Sequence, residues 1–402
     1  MYPKLLRPTA LFCLCACLCY SCQTMKSKMD LIYTGKVTGA LSQQLVEAYS
    51  ESLKDPIAAE QSDEFTKWNI LYATNRLQQD GPSGNVGYAN EYGNTVAYGS
   101  GQIHISRKNH TDLKTKVMQT IWQGAPGPEG KIKLSSLTPA EETPFFNDLN
   151  SLIERSPQKD VLLFVHGFNV NFPSAITRAA QIANELPFNG AIISYSWPSQ
   201  GGVEKYLIDG QVADASVEPM ARFLESLVNS VPQGTKINIM VHSMSNRVVM
   251  RALNRLPEHF ASTKPFQNVV LAAPDVGVSE FKKLAPAIIA QSNRVTLYSG
   301  SGDVALVASK AVNQERRAGD SREPLIMEGI ETIDVSAVDT SFMSHSYYGS
   351  NRAVLSDLFS LIKQDSAAAD RKWLLSKKHD GMNYWAFEKE PPEIKKVRAT
   401  SL

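Results

Sequence analysis

Apolar and polar positions change rhythm along this chain. From Lys67 to about residue 142 the apolar residues come in short groups broken by Gly, Asn and Pro. From Asp160 onward, compact apolar runs alternate with segments in which apolar residues recur every three or four positions. A short run without alternation is a strand buried on both faces, and the three-to-four spacing marks one face of a helix. Val161–Val165, Ala191–Trp197, Ile237–Val241, Asn268–Ala273, Arg294–Ser299 and Glu331–Val335 are the predicted strands. Between them fall helices over Pro173–Leu186, Ala213–Val228, the segment carrying Val248, Val249, Ala252, Leu253 and Leu256, and Ser279–Ala290; Asn351–Lys363 is the last helix. Ile176, Ala179, Ala180, Ala183 and Leu186 share one face, and Pro173 suits a first helical turn. The alternation predicts an α/β fold: a mainly parallel sheet with helices on both faces.

The flanks read differently. Thr24–Ser62 is polar and mildly helical, a tether plus a leading helix. Trp68–Arg76 reads as a strand ending in a polar turn. The Gly- and Asn-rich stretch Gly81–Gly101 holds only short strand-like pieces such as Thr95–Tyr98, then Ile103–Ser106 follows, and residues 123–142 read as loop. This is an irregular β-rich N-terminal extension. The tail from Ser366 to Leu402 is charged and aromatic-poor apart from Trp373, Tyr384, Trp385 and Phe387. The expected division is 1–22 signal, 23–66 tether and leading helix, 67–363 catalytic-type domain, and 364–402 tail.

Composition narrows the class. The 402 residues carry 41 Lys and Arg against 40 Asp and Glu, a net charge of +1 with no long block of either sign. That balance argues against a nucleic-acid partner, and no Cys/His cluster has zinc-site spacing. All five cysteines lie between Cys13 and Cys22. Lys4 and Arg7, the apolar run Leu11–Tyr20 and then Ser21-Cys22 form a basic start, a short apolar stretch and a small residue, the layout of an export signal. The run is too short for a permanent membrane span. Ser21-Cys22 followed by polar residues resembles a bacterial lipoprotein signal, which implies that Cys22 is the lipidated first residue of a cell-envelope protein. A simple cleaved signal, giving a periplasmic or secreted protein, is the alternative.

The chemistry centres on Lys236–Leu256. Strand Ile237–Val241 passes into the next helix through His242-Ser243-Met244-Ser245-Asn246, with no room for a loop. A serine at the apex of so sharp a turn is pushed out of the sheet, at a helix N-terminus where free N–H groups favour negative charge. Ser243 is the candidate nucleophile in a variant of G-x-S-x-G, with Val241 and Ser245 at the glycine positions. Serine capping of an ordinary strand–helix junction is the competing reading. A serine nucleophile needs a base, and the base an orienting carboxylate, in the chain order Ser, acid, His. Of the three histidines after Ser243, His259 leaves the elbow helix and His379 lies in the tail. His345, in a loop between the last strand and the last helix, is the candidate base. Asp303, in Gly300-Ser301-Gly302-Asp303, is the preferred acid, and Asp275, in Ala273-Pro274-Asp275, the alternative. Met244 and Phe168 are the expected oxyanion N–H donors, Phe168 lying in the loop His166-Gly167-Phe168-Asn169. His166 precedes the nucleophile and reads as a loop-holding residue. Trp197 ends a strand on the same edge and is the candidate substrate-binding residue lining an acyl pocket.

The runs VLLFVHGFNVNF, ISYSWPS, VHSMSNRV and LAAPD, with SGD and SHSYY further on, resemble the alpha/beta-hydrolase superfamily, and more narrowly a bacterial esterase- or lipase-like branch of unknown function. Tyr72–Arg76 and Val96–Gly99 are similar to the leading segment of that branch, so the resemblance covers about residues 67–363. It implies a serine hydrolase but carries no substrate over; the triad itself points to a small acyl substrate cleaved through an acyl-enzyme, with no need for a metal or organic cofactor. The branch usually has a small residue where Val241 stands and glycine where Ser245 stands. These departures motivate a second possibility, a hydrolase-fold surface lipoprotein that acts as a binding module. A peptidase or acyltransferase would use the same triad, and no sequence feature specifies an oligomeric state.

Overall fold

The computed structural model describes residues 57–62, 64–81, 86–106, 132–186, 188–302, 304–337 and 352–387. In chain order the extension supplies β1 (Ala59–Gln61), β2 (Phe65–Asp80), β3 (Val86–Ser106), β4 (Ile132–Ala140) and α1 (Glu142–Arg155). The alternating part follows with β5 (Asp160–Val165), α2 (Phe172–Glu185), β6 (Ala191–Ser196), α3 (Tyr206–Ala215), α4 (Val217–Ser230), β7 (Lys236–His242) and α5 (Ser245–Leu253). It continues with α6 (Phe260–Thr263), β8 (Phe266–Ala272), α7 (Val278–Gln291), β9 (Ser292–Ser299), α8 (Val304–Asn313), β10 (Ile330–Asp334) and α9 (Arg352–Lys363). Strands β11 (Leu374–His379) and β12 (Met382–Phe387) come last.

The strands form one sheet in the order β11-β12-β10-β9-β8-β7-β5-β6-β2-β3-β4, with β1 paired to β2. Every neighbouring pair from β12 to β2 is parallel; the pairs outside that block are antiparallel. Residues alternate across this sheet as a strand requires. Leu163 and Val165 of β5 join Ile239 and Val241 of β7 beneath α1, α4, α5 and α7. Leu162, Phe164 and Met240 join Val270 on the opposite face beneath α2 and α9. Each such side chain, fully buried, contributes about 1.5–3 kcal/mol, which is why the central strand β5 is apolar throughout from Val161 to Val165.

The order contains a reversal that positions the site. The chain moves from β5 to β6 on one side, then returns to place β7 on the other side of β5. Helix α2, after β5, packs on one face, and α5, after β7, on the other. The carboxyl ends of β5 and β7 are therefore adjacent while their connections diverge, leaving the crevice where open α/β sheets bind ligands.

The flanks depart from the sequence expectation. β2 and β3 are one long antiparallel ribbon from Phe65↔Ser106 to Asp80↔Val86, with register shifts around Arg76. The glycines there permit close approach: a side chain at Gly99 would collide with the Tyr72 ring and the Thr138 carbonyl. Strand β4 lies where the sequence reads as loop; as the edge of the sheet it tolerates Pro139. Two helices, α3 and α4, replace the single one expected over Ala213–Val228. The expected tail contributes the hairpin β11–β12, whose Trp385 pairs in register with Ile333. Its outer strand carries Lys377 and Lys378, charges that discourage further strand addition.

Candidate active site

β7 ends at His242 and α5 begins at Ser245, so the whole turn is made by Ser243 and Met244. Ser243 adopts the left-handed conformation, φ 54°, which costs a non-glycine residue about 1–2 kcal/mol. Its backbone is held on both sides. The Ser243 N–H donates to the Ala272 carbonyl (2.9 Å). Its carbonyl accepts from the Asn246 N–H (3.1 Å), the Asp275 N–H (3.3 Å) and the Asn246 side-chain amide (2.8 Å). Strain persists only where surroundings over-determine it, and such positions cluster at functional sites. The Ser243 side chain stands at the tip, and its Oγ has no hydrogen bond among the described residues.

The two departures from glycine fit this turn. Val241 is in register with Val165 and Leu271 and fills the core. Ser245 is fully buried; its hydroxyl donates to the His166 carbonyl and accepts from the Trp197 indole N–H (2.8 Å). The hydroxyl thus ties the elbow to the loop after β5.

That loop lies directly against the nucleophile. A Cβ at Gly167 would sit 2.6 Å from His242 Nδ1 and 3.0 Å from Ser243 Cβ, so only glycine lets the two chains come this close. Neither the Phe168 N–H nor the Met244 N–H has a hydrogen-bond partner among the described residues. Asn169 follows with φ 58° and donates its N–H to Ser199 Oγ (2.8 Å).

Beneath the loop lies a buried polar network that the sequence reading missed. Arg76, at the ribbon's irregularity, donates to Ser196 Oγ (2.8 Å), the Val170 carbonyl (2.7 Å) and Asn90 Oδ1 (2.6 Å). Burial lowers its pKa to about 9, with the Asp209 charge pulling the other way. Asp209 accepts from Ser199 Oγ (2.5 Å) and the Gln200 N–H (2.7 Å), while burial pushes its carboxyl up. Arg76 was legible as the end of a strand, but nothing local in the sequence marks Asp209 as its electrostatic partner.

His166 is buried, with Nδ1 2.8 Å from the Gly167 carbonyl and Nε2 3.0 Å from Ser196 Oγ. Burial and the Arg76 charge lower its pKa to about 3, so it is a neutral brace at ordinary pH. Trp197 requires a correction. It is fully buried, stacked 5.6 Å from His166, with its indole N–H shared between the His166 carbonyl (2.9 Å) and Ser245. It supports the loop and the elbow from behind instead of lining a pocket, because its one polar atom is needed there.

Asp303, His345 and Cys22 lie outside the described residues. The segments that lead to the first two are neighbours: β9 and β10 pair in parallel, and the Ser301 N–H donates to Ser336 Oγ (2.8 Å). His259 precedes β8 and His379 ends β11, which runs against its neighbour; both stand exposed near the opposite edge of the sheet from Ser243. Asp275 is buried beside the elbow, with its carboxylate ion-paired to Arg317 (3.0 Å) and accepting from Tyr206 (2.6 Å) and Ser309. Among the described residues no helix is long and apolar enough to cross a membrane.

A strained serine between a parallel strand and a helix, beside two N–H groups without a partner among the described residues, is an arrangement able to bind a developing oxyanion. The family described as "Alpha/beta hydrolase of unknown function (DUF900)" matches residues 141–364, more than half of the chain, and the chain belongs to it. No curated protein matches the chain.

Proposed function

We propose that this alpha/beta hydrolase is a serine hydrolase that cleaves a carboxylic ester or related acyl bond. The observation that carries the reading is Ser243 itself: left-handed, at the apex of the β7–α5 turn, next to two N–H groups unpartnered among the described residues. Ser243 Oγ attacks the acyl carbon as His345 takes its proton. The carbonyl oxygen becomes an oxyanion and accepts from the Phe168 and Met244 N–H groups. The bond to the leaving group breaks as His345 returns the proton to it, leaving an acyl-serine. Water then attacks the same carbon, His345 takes the water proton and returns it to Ser243 Oγ, and the acid leaves. Asp303 holds the imidazole in the required tautomer and stabilises the imidazolium. His166 cannot substitute as base, because its ring nitrogens are occupied and its pKa lies near 3.

The N-terminal signal supports an exported protein anchored through lipid on Cys22. A lipoprotein cysteine carrying more than one acyl chain binds membranes stably, where a single chain does not. The purified chain should label with a fluorophosphonate and hydrolyse short p-nitrophenyl esters, and Ser243→Ala should do neither while keeping its circular dichroism. Equal labelling of the two proteins would refute the assignment.

A further inference from the structure

Four polar side chains from four separate segments meet beside the elbow. Asp275 follows β8, Tyr206 opens α3, Ser309 sits on α8, and Arg317 lies in the connection before β10. Asp275 Oδ1 is 3.0 Å from Arg317 Nε and also accepts from Ser309; Oδ2 accepts from Tyr206 (2.6 Å). Arg317 Nε also reaches Ser309 Oγ (2.7 Å), and Arg317 Nη2 is buried without a hydrogen-bond partner among the described residues. The cluster touches the proposed machinery at two points. The Asp275 N–H donates to the Ser243 carbonyl (3.3 Å). The Tyr206 ring meets the Phe168 ring edge-on, centroids 5.6 Å apart.

We infer that Asp275 and Arg317 form a positioning pair that fixes the Ser243 turn relative to the Phe168 loop. The inference rests on Ser243 being the nucleophile and assigns a task to side chains the acyl transfer does not use. A buried ion pair contributes little net stability compared with well-packed apolar residues, and its best-attested use is to fix geometry. Here the geometry is specific. The segment carrying Arg317 runs along the turn carrying Asp275, through Ala318 N–H to Val276 (2.9 Å) and Gly319 N–H to Pro274 (3.0 Å). The carboxylate then locks Tyr206 over Phe168. The same contacts favour Asp303 over Asp275 as the acid of the triad, because the Arg317 guanidinium already matches the charge that an imidazolium would need.

The test is the double variant Asp275→Asn/Arg317→Gln, which removes both charges together and leaves neither buried alone. Misplacement of reacting groups by about 1 Å costs on the order of 10²-fold. The expected result is kcat lower by about that factor with KM nearly unchanged and a near-native melting temperature. An undiminished kcat would overturn the inference, as would a loss near 10⁴-fold, the scale expected of a triad acid. Should the double variant fail to fold, Tyr206→Phe keeps the ring on Phe168 and removes only its hydroxyl. It should lower kcat without raising KM, and an unchanged kcat contradicts the pair's role. If the wild type neither labels nor turns over ester, the serine-hydrolase reading fails by itself. Hydrogen exchange at the Asp275 amide then still decides the structural half: the double variant should lose protection there, and unchanged protection refutes it.

Discussion

Gly167→Ala tests the contact on which the oxyanion site depends. An added Cβ would stand 2.6 Å from His242 Nδ1, 3.0 Å from Ser243 Cβ and 3.2 Å from the His242 carbonyl oxygen, against ordinary contact at 3.4–4 Å. The His242 ring can turn aside, but the contacts with Ser243 Cβ and the His242 carbonyl oxygen remain, so the loop after β5 or the elbow must yield by a few tenths of an ångström. Neither side can yield freely. Ser243 is held by four backbone-directed hydrogen bonds, and the loop is held by Arg76 on Val170, Ser199 on Asn169 and Ser245 on His166. Overpacking of this kind costs about 1–3 kcal/mol of stability. Even a shift of a few tenths of an ångström stretches an N–H donor at about 2.9 Å to the edge of hydrogen-bond range, about 3.2 Å. Loss of one oxyanion donor lowers kcat by about 10²–10³-fold. Steady-state hydrolysis of a p-nitrophenyl ester, with thermal unfolding in parallel, measures both quantities. A folded Gly167→Ala protein with kcat within threefold of wild type would show that the Phe168 loop does not supply the donor.

Three further outcomes are expected. Asp303→Asn should lower kcat by about 10⁴-fold at nearly unchanged melting temperature, whereas Asp275→Asn strands Arg317 and should cost about 3–5 kcal/mol of stability; the reverse pattern in unfolding and kinetic measurements would exchange their roles. His166 has a folded pKa near 3, below its unfolded value of 6.5. Between those values the unfolded chain binds the extra proton, so stability falls as pH drops, by up to about 1.4 kcal/mol per pH unit. His166→Gln should flatten that slope between pH 4 and 6 in denaturant titrations, and an unchanged slope would assign the acid sensitivity to other groups. Cys22→Ala should release the protein from membranes or stall its processing, and fractionation showing a soluble wild type with a free Cys22 thiol would refute the anchor.

Legibility in the sequence followed physical cause. The strands from β5 to β9 were readable because each is buried on both faces, which forces near-continuous apolar runs such as Val161–Val165. The elbow was readable because β7 and α5 leave only two residues between them. The ribbon β2–β3 was not, because Gly99 and its neighbours look like turn residues when the tyrosine they accommodate lies 27 positions away. Ser245 looked like a departure from a motif until its hydroxyl was seen to join two loops. Trp197 was misread because position at a strand end does not reveal which side of the loop a side chain supports. The Asp275–Arg317 pair spans 42 positions and leaves no local pattern.

The central claim is that an acyl group passes through Ser243, and trapping that species tests it most directly. The enzyme should be mixed with excess p-nitrophenyl ester, quenched in acid and analysed by intact mass and peptide mapping. The account predicts one acyl adduct per chain, on the peptide containing Ser243, and no adduct in Ser243→Ala. Ester turnover that persists in Ser243→Ala, or an adduct on another residue, would contradict it.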